Sequence, residues 1–357
     1  MDGCGTGSRP RVGFKQMVWG ALAAAAIAST VWPSAGQAQP AVLNLYSARH
    51  YQTDEALYAN FTRQTGIKLN RIELGDEPLL QRLKSEGANS PADVVLLVDA
   101  ARLWRAQIDG LFQPVDSKLL NERIPAHLRA NDASWFGFST RARVIVYDKA
   151  KVKPQEVDTY EKLADPVNKG RVCTRSGSHP YMLSLLGAMV ERSGEARAEE
   201  WARGMVTNMT RPPRGGDTDQ IRAVASGECG VALTNTYYWV RLLRSTDSKD
   251  KEVVEKVGFL WPNQASSGAH INVSGGGVAR YAPNRANAIR FLEYLSGPQA
   301  QAYFADGNNE WPVVKGAELN NPALASLGQF RAESVPVSSI GKGQIAAQRI
   351  LDRVGYR

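Results

Sequence analysis

The sequence predicts an α/β protein of two lobes joined by crossing strands around a central cleft. Three observations predict it. The chain has 357 residues, more than one hydrophobic core usually organises. Strands alternate with helices in two successive series, as in α/β lobes with largely parallel sheets. Between the series lies a long extended stretch, Trp135–Tyr147 (WFGFSTRARVIVY), suited to pass from one lobe into the other.

The N-terminus reads as a targeting segment. Arg9, Arg11 and Lys15 precede an alanine-rich apolar stretch from Met17 to Val31, and small residues follow from Ser34 to Ala38. A charged region, an apolar region and a small-residue cleavage site in that order mark a secretory leader, and the apolar stretch is short for a membrane span. Removal of residues 1–38 and a mature chain in the periplasm are expected. Pro10 separates Arg9 from Arg11, so the leader lacks the adjacent arginine pair of a folded-export signal.

In the first series, AVLNLYS is a strand, Thr53 to Thr65 a helix stopped by Gly66, IKLNRIEL a strand and Pro78 to Glu86 a short helix. Ala92 to Val98 is apolar enough for a strand buried on both faces, and a helix follows at Ala101–Ile108. After the crossing stretch come strand RVCTR, helices Tyr181–Arg192 and Glu195–Asn208, a strand near Met209–Pro212, a helix from Asp217 as N-cap to Ser226, strand Gly230–Asn235 and strand VGFLWP. Gly268–Tyr281 reads as the return to the first lobe and Asn284–Ser296 as a helix ended by Gly297–Pro298. The tail from Ala317 is helical in pieces. These readings place the first lobe at 39–140 and 268–313 and the second at 141–267 and 314–357.

Composition narrows the function classes. The formal charge of +8 falls to +6 without the leader, and no basic run carries interleaved aromatics, so nucleic-acid binding is not expected. Cys173 and Cys229 each open a strand. An oxidising compartment permits a bridge between them, and two separate buried thiols are the alternative. Their spacing matches no zinc pattern. The chain has no GxSxG elbow, HExxH pair or P-loop, and Gly275–Gly276–Gly277 reads as a tight backbone turn rather than an oxyanion hole. An enzyme is not expected.

The tyrosines are more informative. Tyr237–Tyr238 follows strand GVALTN at a helix start, Tyr181 follows SGSHP at another junction, and Tyr51 follows His50 after the first strand. Ligands of open α/β sheets bind at such carboxyl strand ends, so four tyrosines and one histidine are placed to converge on the cleft. Phenolate is an anionic oxygen donor suited to ferric ion, whereas zinc or copper would be given histidine or cysteine and calcium or magnesium carboxylates and carbonyls. Arg49, Arg141 and Arg241 stand near the candidate ligands in sequence and would offset a negative centre. An isolated tyrosine at a strand end usually packs or hydrogen-bonds its hydroxyl, a lone histidine is usually structural, and Arg141 and Arg143 also fit solvent-facing positions of a strand. Periodicity alone does not settle a metal site.

The ordered set LNLYSARHY, PADVVLLVDAARLWRA, GLFQPV, WFGFSTRARVIVYDK, YEKLADPVNKGRV, DTDQIRAVASGE and ALTNTYYWVRLL resembles periplasmic ferric-binding proteins of iron ABC importers, of the cyanobacterial type. The resemblance runs from about Leu43 to beyond Trp311. It implies a type II periplasmic-binding-protein fold and Fe(III) as transported ligand. It also implies a monomer that docks an inner-membrane permease. Carried over residue by residue, it makes Tyr51, Tyr181, Tyr237 and Tyr238 phenolate ligands, His50 a ligand or cleft neighbour, and Arg141 and Arg241 cleft arginines that stabilise the anionic centre. The Ser176–Gly177–Ser178 turn resembles the place where some relatives hold an anion beside the iron, and no such anion is predicted here. The alternatives are a binding protein for another solute, such as a polyamine, sulfate or a sugar phosphate, a sensory subunit that only reports iron, and a secreted hydrolase.

Overall fold

The structure is a computed structural model that describes Met1, residues 41–49 and residues 53–357. The expected leader and the candidate ligands His50 and Tyr51 lie outside the described residues. The chain opens with strand β1 (Val42–Ser47), helix α1 (Asp54–Thr65), β2 (Lys68–Glu73), α2 (Asp76–Glu86), β3 (Val94–Leu97), α3 (Ala100–Ile108), β4 (Phe112–Gln113) and α4 (Lys118–Arg123). The long strand β5 (Phe136–Asp148) leads to β6 (Val172–Cys173), α5 (Pro180–Ser193), α6 (Glu195–Asn208), α7 (Asp217–Ala225), β7 (Val231–Asn235), α8 (Thr236–Leu243), α9 (Ser248–Lys256) and β8 (Val257–Leu260). Then β9 (Ile271–Ala279), α10 (Arg285–Leu295), α11 (Pro298–Asp306), β10 (Trp311–Pro312), α12 (Pro322–Ala325) and α13 (Val337–Val354) complete it.

The strands run in the order β2-β1-β3-β9-β5-β7-β6. β1 is parallel to β2 and β3, and β6 is parallel to β7, while β9 is antiparallel to both β3 and β5. β5 is the crossing strand. Its residues Phe136–Ala142 pair with β9, and from Arg143 onward it pairs with β7 and β8. The change of partner falls between Ala142 and Arg143. At that point the buried Tyr160 hydroxyl donates to the Arg143 carbonyl at 2.5 Å and accepts the His270 N–H at 2.9 Å, tying the outgoing strand to the returning one.

Side chains on the strands of the second lobe alternate between two cores, as the period of two requires. Ile145, Val172, Val231 and Leu233 join Met182, Leu185, Trp201 and Met205 of α5 and α6 on one face. Val146, Cys173 and Ala232 join Ile221, Val224 and Trp239 of α7 and α8 on the other. The first lobe packs β1, β3, β9 and the first half of β5 between α1, α2, α3 and α10, where Val94–Leu97 is buried on every side chain.

Several sequence expectations change. No strand forms at Met209–Pro212; Met209 makes only an isolated bridge to Val172. The N-cap of α7 is Gly216, and Asp217 is the first helical residue, freed for another use. Pro298 starts α11 at its first position rather than merely stopping α10, since a missing N–H costs nothing there. Gly275–Gly277 form no turn. They lie inside β9, where a side chain would run into the carbonyls of Phe136, Val95 and Ser134. The tail from Ala317 is helical in pieces as expected, namely α12 and the 18-residue α13. Within α13, Gly341 lets Trp104 approach and Gly343 meets the Gly187 backbone of α5. Close packing between helices outweighs their poor propensity.

Asp76 opens α2 and accepts the Val98 N–H at 3.2 Å. Burial pushes its carboxyl up from 3.8 to about 6, with Asp99 adding to the rise. A carboxyl whose folded value exceeds its unfolded one binds its proton more tightly in the fold, so its cost is absent below about pH 4 and complete above about pH 6. The Asp76→Asn variant is therefore expected to be more stable than wild type at neutral pH, by up to about 3 kcal/mol, with the gain vanishing in acid. Urea unfolding across that pH range checks this.

Candidate functional site

Two strand-to-helix junctions of the second lobe build the site. β6 and β7 are parallel neighbours, so their carboxyl ends open on the same side, and the chain beyond each enters a helix within a few residues. Tyr181 is the second residue of α5. His179 caps that helix: its Nδ1 accepts the Tyr181 N–H at 3.2 Å, and Pro180 takes the first helical position. Burial first, then the charges of Arg175, Arg143 and Arg102, push the His179 imidazole down to about 3. The ring is neutral at physiological pH, which leaves Nδ1 its lone pair for the cap. Tyr237 and Tyr238 are the second and third residues of α8, which begins where β7 ends.

The junctions meet. The hydroxyls of Tyr181 and Tyr237 lie 2.7 Å apart, and the rings of Tyr237 and Tyr238 pack at 4.3 Å between centroids. Tyr237 is buried and Tyr238 half-buried. Three guanidiniums surround the Tyr181 ring, with Arg141, Arg143 and Arg175 at 5.8, 5.8 and 5.2 Å from its centroid. Exposed Arg241 lies 5.5 Å over the Tyr238 ring.

Arg141 and Arg143 are not solvent-facing. Both are 2% exposed, on the inward side of the crossing strand. Residues two apart on a strand share a face, and here that face looks into the protein. Arg141 donates to Ser274 Oγ at 3.1 Å and to the Val98 carbonyl, with Asp99 at 4.0 Å. Burial lowers its pKa, and the charges of Glu310, Tyr181, Asp99 and Tyr237 outweigh that and raise it. Arg143 donates to Asp217 Oδ2 at 2.5 Å and Asn235 Oδ1 at 3.2 Å. Arg49 grips Asp54 with two hydrogen bonds of 2.9 and 3.2 Å, lies 3.7 Å from Glu310, and stacks on Phe304. A hydrogen bond from Ser184 of α5 to Asp99, the N-cap of α3, spans the two series of elements at 2.8 Å.

Sequence reasoning missed Arg143, Arg175 and Asp217 as parts of this cluster. The signal for Arg143 was its spacing from Arg141. Arg175 and Asp217 carried no local signal, because their contact with each other crosses 42 positions of chain. Among the described residues, no group of three or more His, Cys, Asp or Glu is arranged to hold a metal. Cys173 and Cys229 form a disulfide with Cα atoms 5.9 Å apart, which ties β6 to the segment entering β7.

Residues 56–332 match the family profile of bacterial extracellular solute-binding proteins. The chain is 51% identical to "Iron uptake protein A1" of Synechocystis sp. over 88% of this chain and 87% of that protein. The solved structure of Trichodesmium FutA (IdiA) in complex with iron and citrate ligands superposes with a TM-score of 0.84 at 51% identity, covering 88% of this chain and all of that one. The ferric binding protein from Campylobacter jejuni does so with the same TM-score at 39% identity over 88% of this chain and 100% of that one. The two-lobed type II periplasmic-binding-protein fold expected from sequence is the fold observed, and the chain belongs to the bacterial extracellular solute-binding protein family.

Proposed function

We propose that this protein is a periplasmic receptor for ferric ion that holds Fe(III) on the phenolate oxygens of Tyr181, Tyr237, Tyr238 and Tyr51, with His50 beside them, and delivers it to the permease of an ABC importer. The observation that carries the reading is the 2.7 Å approach of the Tyr181 and Tyr237 hydroxyls from two separate helix starts inside a ring of arginines. Phenols whose unperturbed pKa is near 10 give up their protons only to a strong Lewis acid, and ferric ion with four phenolates leaves a centre of net charge −1 that nearby guanidiniums offset. Relatives named for iron uptake and ferric binding support the choice of metal. In this reading the protein works as a monomer, binds and releases without chemical turnover, and loses residues 1–38 on export. Its lobes, 39–140 with 268–313 and 141–267 with 314–357, close on the metal by hinge motion at the crossing strands.

Addition of Fe(III) to the mature protein is expected to give a visible phenolate-to-iron charge-transfer band at one equivalent of bound metal. Acid should bleach it as protons compete for the phenolates. A colourless ferric titration, or a band indifferent to acid, overturns the reading, and thermal stabilisation by spermidine or sulfate instead would assign another solute.

A further inference from the structure

Asp217 is fully buried and serves two arginines with one carboxylate. Its Oδ2 accepts from Arg143 Nη1 at 2.5 Å and from the Asn235 N–H at 2.7 Å, at the strand end that launches Tyr237 and Tyr238. Its Oδ1 has no hydrogen-bond partner and faces Arg175 Nη1 at 3.5 Å. Two guanidiniums and one carboxylate leave this buried unit at net +1. Arg143, at hydrogen-bond distance, takes most of the carboxylate's field. Arg175 is farther from it, and it is the nearest of the three guanidiniums to the Tyr181 ring, at 5.2 Å. Its side chain is only 16% exposed, so water screens it little. The other candidates are weaker. Arg141 has Asp99 and Glu310 as counter-charges, Arg49 is held by Asp54, and exposed Arg241 is screened by solvent.

We infer that Arg175, positioned by Asp217, is a charge-compensating residue of the ferric site, and that its guanidinium offsets the negative charge carried by the metal-bound phenolate of Tyr181. The inference rests on the ferric reading above. A fixed cation beside a phenolate strengthens the ferric complex without touching the metal, because it stabilises the anionic ligands. The same field lowers the energy of the phenolate donor orbital and therefore raises the energy of the charge-transfer transition.

The test compares wild type with Arg175→Gln, Arg175→Met and Arg175→Lys, each loaded with Fe(III) and titrated with citrate as competitor. The neutral variants are expected to lose about tenfold in ferric affinity, the scale of one nearby charge, and their bands to move to longer wavelength. Arg175→Lys, which keeps the charge, is expected to recover most of both. Circular dichroism of the apo variants confirms the fold, and should Arg175→Gln fail to fold, the Met and Lys variants carry the comparison. Neutral variants with wild-type affinity and an unmoved band overturn the inference, as does a Lys variant no better than Gln. A wild-type protein without any ferric band sinks the ferric reading itself, whereas a normal wild-type band that ignores Arg175 sinks only this assignment.

Discussion

Replacing Tyr237 with Phe is expected to remove most of the ferric charge-transfer band and to weaken ferric binding by more than about 100-fold. That bound is the upper range for losing a mere supporting partner of a metal ligand, and a phenolate bonded to the metal contributes more than its support does. The substitution deletes one oxygen and keeps the ring, so the packing of Tyr237 on Tyr238 at 4.3 Å survives. The hydrogen bond to the Tyr181 hydroxyl that is lost is worth roughly 1 kcal/mol. Affinity should therefore collapse while the apo protein melts within a few degrees of wild type. Tyr181→Phe and Tyr238→Phe should behave alike. Tyr294→Phe is the control, because its hydroxyl donates to the Leu57 carbonyl in the first lobe and its loss should leave the band intact. Citrate competition with the visible spectrum reads all four. A Tyr237→Phe protein that keeps its colour and affinity would place the metal elsewhere.

Removing the disulfide is expected to cost about 4 kcal/mol of stability. The bridge closes a loop with a sequence separation of 56 residues, and the chain-entropy relation gives about that value for a loop of this length. Its position matters as much as its size. It joins β6, through Cys173, to the turn before β7, and those two strands lead into the helices that present Tyr181 and Tyr237. The Cys173→Ala/Cys229→Ala double variant and the dithiothreitol-treated wild type should share one lowered urea midpoint. Below that midpoint both should still bind Fe(III), since neither sulfur is among the proposed ligands. A double variant as stable as the oxidised protein would show that the unfolded chain is already constrained by other means.

Local pattern made much of this protein legible. The apolar run at Val94–Leu97, the helix ended by Gly66, the helices of the second series and the extended crossing stretch all appear where composition and period put them. The junction positions of Tyr181 and Tyr237–Tyr238 were equally readable, because a tyrosine just past a strand and just inside a helix is a statement about neighbours in the chain. Gly275–Gly277 misled the reading, because a glycine run has a local meaning as a turn and is used here for close packing inside β9 that sequence neighbours do not reveal.

By itself, then, the order of residues determined the class of fold, the placing of most elements and which tyrosines stand at strand ends. Tertiary structure alone decided that the Tyr181 and Tyr237 hydroxyls come within 2.7 Å of each other, that Arg141 and Arg143 face inward, that Asp217 gathers Arg143 and Arg175, and that Cys173 bonds to Cys229. Backbone propensity and hydrophobic period act over a few residues and can be read one window at a time. Charge compensation and disulfide geometry depend on distances between segments 42 to 74 positions apart, which exist only once those segments have packed together.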